Sequence, residues 1–361
     1  MIQNLVRQKI QFIKTTTKSN QNSMKKELIL FLIILLLLHS IVEAQKTEEF
    51  LQKLVVEKGF SGSVLIAKGS KILLNQGYGF ADLKKTKQVK SETKFYIASI
   101  TKQFTASAIL KLEEQGKLKT TDLISKYFKD VPPDKSQITI HHLLTHTAGL
   151  AQNYTADGII NRDEMVKAVL AEPLKNPIGE KFRYGNDGYS LLAAIVEIAS
   201  GQSYESFIKQ NLLKPAKMSN TGFWGEPNVL IADTKREISA EVKMPNWGFR
   251  GGVGMYSTVG DLYKWQQALF ADKILSKKER EKLLTPNNQI SKGMHAYGWY
   301  ISETKLGAKI CWTAGYEDFG HNGIVRVYPD GTVIIVLTNA GDIDGQPARD
   351  LVSNGLEQIL F

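Results

Sequence analysis

One cysteine, Cys311, serves the whole chain of 361 residues, so no disulfide can form within it and stability must come from core packing. No internal repeat and no low-complexity linker appears, which excludes a solenoid or a string of tethered modules. Charge of one sign is not gathered into a block either. The formal charge is +10, but residues 1–44 hold six Lys or Arg against two Glu, and the remaining +6 is interspersed with acids, as in "KKERE" at 277–281. That pattern describes a solvated surface and argues against a nucleic-acid partner. Metal and phosphate signatures are also missing. His141, His142 and His146 cluster in "ITIHHLLTHTAGL", and the spacing puts His142 and His146 on one helix face, yet Leu143 stands where a His-Glu-x-x-His site needs its glutamate. These histidines read as structural. The glycine-rich "GGVGMY" at 251–256 does not lead from a β-run into a phosphate-cradling helix, and close backbone packing near a cleft accounts for it better.

Hydrophobic residues make up 43% of the chain, enough for one large core or two modest ones. The stretch 24–44 has the parts of a secretory signal: Lys25 and Lys26, an apolar run from Leu28 to Leu38, and Val42-Glu43-Ala44 before Gln45. The run is shorter than the roughly 20 residues a spanning helix needs. Cleavage after Ala44 is expected, with residues 1–23 an over-extended start before Met24 and a secreted or periplasmic location. An uncleaved anchor is the alternative, and the only membrane contact expected.

Beyond the signal, Val64–Ala67 and Ile72–Asn75 flank a Lys-Gly-Ser turn and predict a hairpin. A second hairpin is predicted around Pro329-Asp330-Gly331 in "GIVRVYPDGTVIIVLTNAG". Between them, helical periodicity dominates about 116–290, in "LISKYF", "ITIHHLLTHTAGL", "RDEMVKAVLAEPL", "GYSLLAAIVEIASG" and "DLYKWQQALF". Strands at both ends and helices between predict an α/β (α+β) fold. Its antiparallel sheet is formed by both termini and flanked by helices, with a mainly helical insertion at about 116–250 in a domain of 48–361.

The chemistry centres on "FYIASITKQFTASAILKLEEQG", 95–116, a short strand running into an amphipathic helix. Ser99 stands at the joint, where free N–H groups and the helix dipole favour developing negative charge. Lys102 shares a helix face with it. Ile100, Phe104 and Ile109 would pack this helix into the core, and burial lowers a lysine pKa enough for a neutral amine to take the serine proton. The spacing alone does not decide, because Ser-x-x-Lys recurs at Ser23, Ser91, Ser206 and Ser302, and Ser99 could equally cap the helix beside a surface lysine. Context is supplied by Tyr184-Gly185-Asn186, the chain's one Tyr-x-Asn. In an extended loop the phenol and the amide face the same way. A phenol beside an ammonium is drawn toward phenolate and can relay a proton, while Asn186 offers a donor and an acceptor to a substrate amide.

Five blocks, "YIASITKQFTASAILKLEEQGKLKTTDLISKYFKD", "ITIHHLLTHTAGL", "YGNDGYSLLAAIVEIASGQSYESFI", "GGVGMYSTVGDLYKWQQAL" and "VYPDGTVIIVLTNAG", together resemble the serine β-lactamase and penicillin-binding-protein-like superfamily. The likeness is to its class C β-lactamase, D-alanyl-D-alanine carboxypeptidase and esterase branch and runs from about 60 to 340. It implies Ser99 as the acylated nucleophile, Lys102 as its activating partner, Tyr184 as proton-transferring base and acid, and Asn186 as a substrate ligand. It implies no metal and no organic cofactor. The substrate would be a small molecule or peptide, possibly derived from the cell wall.

The family's third motif, normally Lys or His, a small residue, then Gly on an edge strand, departs here. In its place "KICWTAGYEDFGH", 309–321, offers Thr313-Ala314-Gly315 followed by Tyr316, with threonine for the cation. Trp312 or His321 folding into the site is an alternative, though packing suits both better. Loss of the cation weakens recognition of a substrate carboxylate. The expectation is therefore an exported serine hydrolase with D-alanyl peptidase or esterase-like activity ahead of efficient β-lactamase activity. A catalytically silent binder of cell-wall peptide is the alternative, and a histidine-based metal hydrolase a further one.

Overall fold

In the computed structural model, which describes residue 7 and residues 41–151, 154–234, 246–291, 293–304, 307 and 309–361, the two terminal hairpins form and join. Helix α1 covers 41–58, so the predicted cleavage point after Ala44 falls within it, while 1–6 and 8–40 lie outside the described residues. Strands β1 (Gly62–Lys68) and β2 (Lys71–Tyr78) make the first hairpin. Then come β3 (Phe95–Tyr96), a 3₁₀ turn over Ala98–Ile100, and helix α2 (Thr101–Glu114). The middle carries α3 (Ile140–Leu144), α4 (Arg162–Ala171), α5 (Asp187–Ser200) and α6 (Tyr204–Ile208). It continues with β4 (Gly222–Phe223), β5 (Met255–Ser257), α7 (Val259–Phe270) and α8 (Lys277–Leu283). Strands β6 (Asn288–Ile290), β7 (Gly293–His295), β8 (Tyr300–Glu303), β9 (Lys309–Tyr316), β10 (Asn322–Val327) and β11 (Thr332–Thr338) precede α9 (Ala348–Leu360).

The large sheet runs β2-β1-β11-β10-β9-β8-β7-β6, antiparallel throughout, and β1 meets β11 from Gly62 opposite Thr338 to Lys68 opposite Thr332. The first and last hairpins thus close one sheet. Period-two alternation gives each face its own core. Leu65, Ala67, Val325, Val333, Ile335 and Leu337 look toward the helical part. Val64, Ile66, Ile324, Ile334 and Val336 look toward Leu51 and Leu54 of α1 and Val352 and Leu356 of α9. Because both faces are covered, "SVLIA" reads as a continuous apolar run, each fully buried aliphatic contributing about 1.5–3 kcal/mol.

Helix α2 lies at the centre. Its residues Thr101–Leu110 are all buried, including the polar ones. Helix α5 packs against it with an apolar body and stops at Gly201, which takes the left-handed conformation at φ 71° that glycine adopts without cost.

Three sequence expectations change. "LISKYF" supplies a single 3₁₀ turn, Ile124–Lys126. Helix α3 ends at Leu144 and His146 turns left-handed at φ 57°, so His142 and His146 share no helix face. Strands β4 and β5 lie within the mainly helical segment and join β3 in a small sheet, fixing the chain just ahead of Ser99.

The third-motif strand β9 also differs from an edge strand, since it pairs with β10 on one side and β8 on the other. Pairing with β8 covers only Lys309–Trp312. Thr313–Tyr316 therefore run with one side free, a local edge inside a wide sheet.

Candidate active site

Ser99 enters its helix without capping it. The 3₁₀ turn and α2 make no side-chain cap bond, and Ala98 is held at φ 48°, unusual for a residue with a Cβ. The freed hydroxyl meets two partners. Tyr184 donates to Ser99 Oγ at 2.7 Å, and Lys102 Nζ lies 3.2 Å from the same oxygen.

The Lys102 amine also contacts Asn186 Oδ1 at 2.6 Å and the Gly252 carbonyl at 3.1 Å. Both are pure acceptors, so a neutral amine gives its two N–H groups to them and is left with a lone pair facing Ser99. Burial pushes the Lys102 pKa down to about 7, with the Glu317 carboxylate pulling weakly the other way. Its ring neighbours are apolar faces, Tyr184 at 4.8 Å and Tyr189 at 5.5 Å. Burial thus brings the neutral form of Lys102 within reach near pH 7.

Tyr184 behaves differently from the sequence expectation. Burial pushes its phenol up to about 12, outweighing the hydrogen bond to Ser99. It stays protonated at neutral pH and serves as a donor to Ser99 in the resting site. Its loop is braced by His146. The carbonyl of His146 accepts from Arg183 N at 2.8 Å, its Nδ1 accepts from Gly185 N at 3.4 Å, and its ring packs 4.6 Å from the Tyr184 ring. Burial, then nearby His295 and Lys102, hold His146 well below the usual imidazole range, so it stays neutral and adds no charge beside Lys102. Among the described residues, no group of three or more His, Cys, Asp or Glu side chains is placed to hold a metal ion.

The "GGVGMY" segment is a close-packing device. A Cβ on Gly251 would sit 2.1 Å from the Tyr189 carbonyl, and one on Gly252 would press on the Asn186 amide at 3.2 Å. Without side chains there, the Gly252 carbonyl reaches Lys102.

Gly315 performs the matching task on β9, where a Cβ would fall 2.1 Å from the Ile97 carbonyl and 2.9 Å from Ala98 Cβ. Glycine lets the strand lie against the Ser99 turn. Glu317 N donates to the His321 carbonyl at 2.8 Å. Antiparallel alternation then turns the Tyr316 N–H away from β10 and toward the free side. Thr313 is buried, and the Tyr316 side chain is 42% exposed beside the Arg349 guanidinium. Of the predicted third-motif residues, Gly315 packs against Ile97 and Ala98, the two residues ahead of Ser99, and the Tyr316 side chain lies beside Arg349.

Three residues escaped the sequence reading. Arg349, from α9, donates to the Gly315 carbonyl and pairs with Asp350 at 3.5 Å, bracing the strand. The Tyr154 phenol stands beside the Asn186 amide. Glu317 is buried and its carboxyl is pushed up to about 8 by that burial and by Asp318. Continuing the strand's alternation two residues past Gly315 would have found Glu317; nothing local points to Arg349. His321 supports the site from behind, its Nδ1 accepting from Tyr96 N at 3.0 Å, and Trp312 stacks on Tyr300. Cys311 is a half-buried free thiol, raised by burial.

Known proteins share this arrangement of blocks and fold. Over 265 residues, covering 72% of this chain and 65% of the relative, the sequence is 36% identical to the putative penicillin-binding protein PbpX of Bacillus subtilis (strain 168). It is 28% identical over 352 residues to penicillin-binding protein 4* of the same organism, covering 88% of this chain and 77% of that protein. The chain therefore spans just under two thirds of the length of the first relative. Among solved structures, the octameric penicillin-binding protein homologue from Pyrococcus abyssi aligns with a TM-score of 0.74 and 27% identity, covering 88% of this chain and 77% of that one. The penicillin-binding protein from Bacillus halodurans aligns at 0.70 with 26% identity, covering 86% and 99%. A family model described as Beta-lactamase matches residues 47–354, nearly all of the described fold. The chain belongs to the Beta-lactamase family, within the serine β-lactamase and penicillin-binding-protein superfamily of serine hydrolases.

Proposed function

We propose that the protein is an exported serine hydrolase of the class C, carboxypeptidase and esterase branch that acts through a covalent acyl-enzyme at Ser99. One observation carries the reading: the Ser99 oxygen touches both a buried amine at 3.2 Å and a phenol at 2.7 Å, and the amine's other contacts are obligate acceptors. Lys102 takes the serine proton as Ser99 Oγ bonds to the substrate carbonyl carbon. Tyr184 passes its proton to the leaving group as that bond breaks and recovers one from the Lys102 ammonium, which returns the amine to its neutral form, and water later cleaves the ester along the same route in reverse. The N–H groups of Ser99 and Tyr316 hold the oxyanion, each such donor typically worth about 3–4 kcal/mol.

Thr313 in the cation's place, with Arg349 engaged by Gly315 and Asp350, favours ester or aminoacyl-type amide substrates over β-lactams. Asn186 accepts from Lys102 through Oδ1, and its amide N–H₂, which also bonds to the Tyr154 phenol, has one further N–H to offer a substrate carbonyl. A cell-wall-derived peptide or small ester fits these groups, and the site residues call for no metal.

The test is intact-mass spectrometry after incubation with a penicillin and with a fluorophosphonate. The wild type should gain one adduct on Ser99, and Ser99→Ala none while keeping its fold. An unlabelled wild type would favour the silent binding protein instead. Export is checked by N-terminal sequencing of the protein recovered outside the cytoplasm, with Gln45 expected first.

A further inference from the structure

Where the superfamily pattern has a cation, this strand has threonine, and one same-face step beyond Gly315 it has an acid. Burial alternates along Thr313, Gly315 and Glu317, which are buried, against Tyr316, which is exposed. Same-face neighbours on a strand are about 7 Å apart. Gly315 lies against Ala98, the residue before Ser99, which puts the Glu317 side chain roughly one substrate residue from the nucleophile.

In its ionised form the carboxyl acts on Lys102, Tyr184 and Tyr154, three groups gathered around the Ser99 cleft, and since burial raises it to about 8, an arriving ammonium is what draws it into that form at neutral pH. Its Oε1 is buried without a hydrogen-bond partner. The Lys102 amine is occupied by Ser99, Asn186 and Gly252, so it does not fill the gap. The backbone, in contrast, is fixed: Glu317 N donates to His321 and the Glu317 carbonyl accepts from Gly320 at 3.0 Å. A carboxyl held rigidly at nine-tenths burial with an empty acceptor is costly unless something supplies a donor.

We propose that Glu317 is the specificity-determining residue of this site and binds an ammonium group of the substrate close to the reacting carbonyl. Preferred acyl donors are then aminoacyl amides or esters with a free amino group. The inference rests on the acyl-transfer reading above, and it inverts the charge the superfamily's third motif would select.

The test compares the p-nitroanilides of D- and L-alanine with their N-acetyl counterparts, using p-nitrophenyl acetate and probe labelling to establish acyl transfer independently. For the better enantiomer, kcat/KM with the free amine should exceed that of the acetylated compound by about tenfold or more, as expected of a charge-assisted contact. Glu317→Gln should lower that ratio by a similar factor, and Glu317→Asp should keep part of it. If anilide turnover is too slow to read, Ki values of alaninamide and N-acetylalaninamide against ester hydrolysis decide by the same criterion. A wild-type ratio near one, or a ratio unchanged in Glu317→Gln, overturns the proposal. Should Glu317→Gln not fold, the wild-type and Glu317→Asp ratios decide alone. Labelling of Ser99 without amine preference sinks this inference only; no labelling and no ester hydrolysis sinks both.

Discussion

Among the described residues, five helices begin at a polar side chain that bonds to the backbone ahead of it: Thr139, Asn161, Ser203, Thr258 and Ser276 all accept from an N–H two or three residues on. Ser99 stands at a sixth start and does not. A 3₁₀ turn and the left-handed Ala98 lift its hydroxyl away from the backbone and toward Lys102 and Tyr184. The same chemical group therefore contributes stability at one helix start and is kept available at another. The preceding residue's backbone, and what waits on the other side of the oxygen, make the difference. The other described Ser-x-x-Lys serines bond to neither a lysine nor a tyrosine in these contacts: Ser91 donates to Glu92, Ser206 accepts from the Gln210 amide and Ser302 from the Trp312 indole.

This contrast can be broken most severely at the partner. Lys102→Met should slow acylation of Ser99 by about a thousandfold or more, read as the rate of adduct formation with a fluorophosphonate, while circular dichroism stays native. Loss smaller than tenfold would return Lys102 to the role of a buried packing residue. Next in size, Tyr184→Phe should lower kcat/KM for an ester by about a hundredfold. It should leave the pH dependence in place. Lys102 is active as the neutral amine, so kcat/KM falls as pH drops through the value near 7 and levels off above it, in wild type and Tyr184→Phe alike. A limb that vanished with the phenol would mean Tyr184 titrates there, against its rise to about 12. The smallest effect lies at an ordinary cap. Ser276→Ala should cost about 1 kcal/mol in urea unfolding and leave kcat/KM unchanged.

Much of this was legible in the chain because it is local. Hairpin turns, the apolar alternation of β1 and β11, and the neighbourhood of Ser99 and Lys102 depend on residues a few positions apart. Tyr184 and Asn186 were legible through their spacing and the block around them. Other features answer to distant partners. The early end of α3 depends on His146 turning left-handed to brace the Tyr184 loop. Arg349 reaches Gly315 only because α9 lies on the finished sheet. The phenol's direction of shift was misjudged because burial outweighs a neighbouring amine that is itself close to neutral. Glu317 was overlooked for a different reason, since one of two successive acids at a strand's end reads as a surface residue until burial is known.

The pairing of β1 with β11 also sets the order in which the protein can be made. Gly62 waits for Thr338, so a growing polypeptide cannot complete the central sheet until β11 is free to join it. Until then Val64 and Ile66 have one neighbour, β2, and an open flank that other chains can join. Such long-range closure slows folding and rewards whatever keeps the unfinished chain apart from its copies. A fragment lacking the final hairpin would retain Ser99, Lys102, Tyr184 and Asn186, yet lose β10 and β11, the strands that tie β9 and its Gly315 to β1.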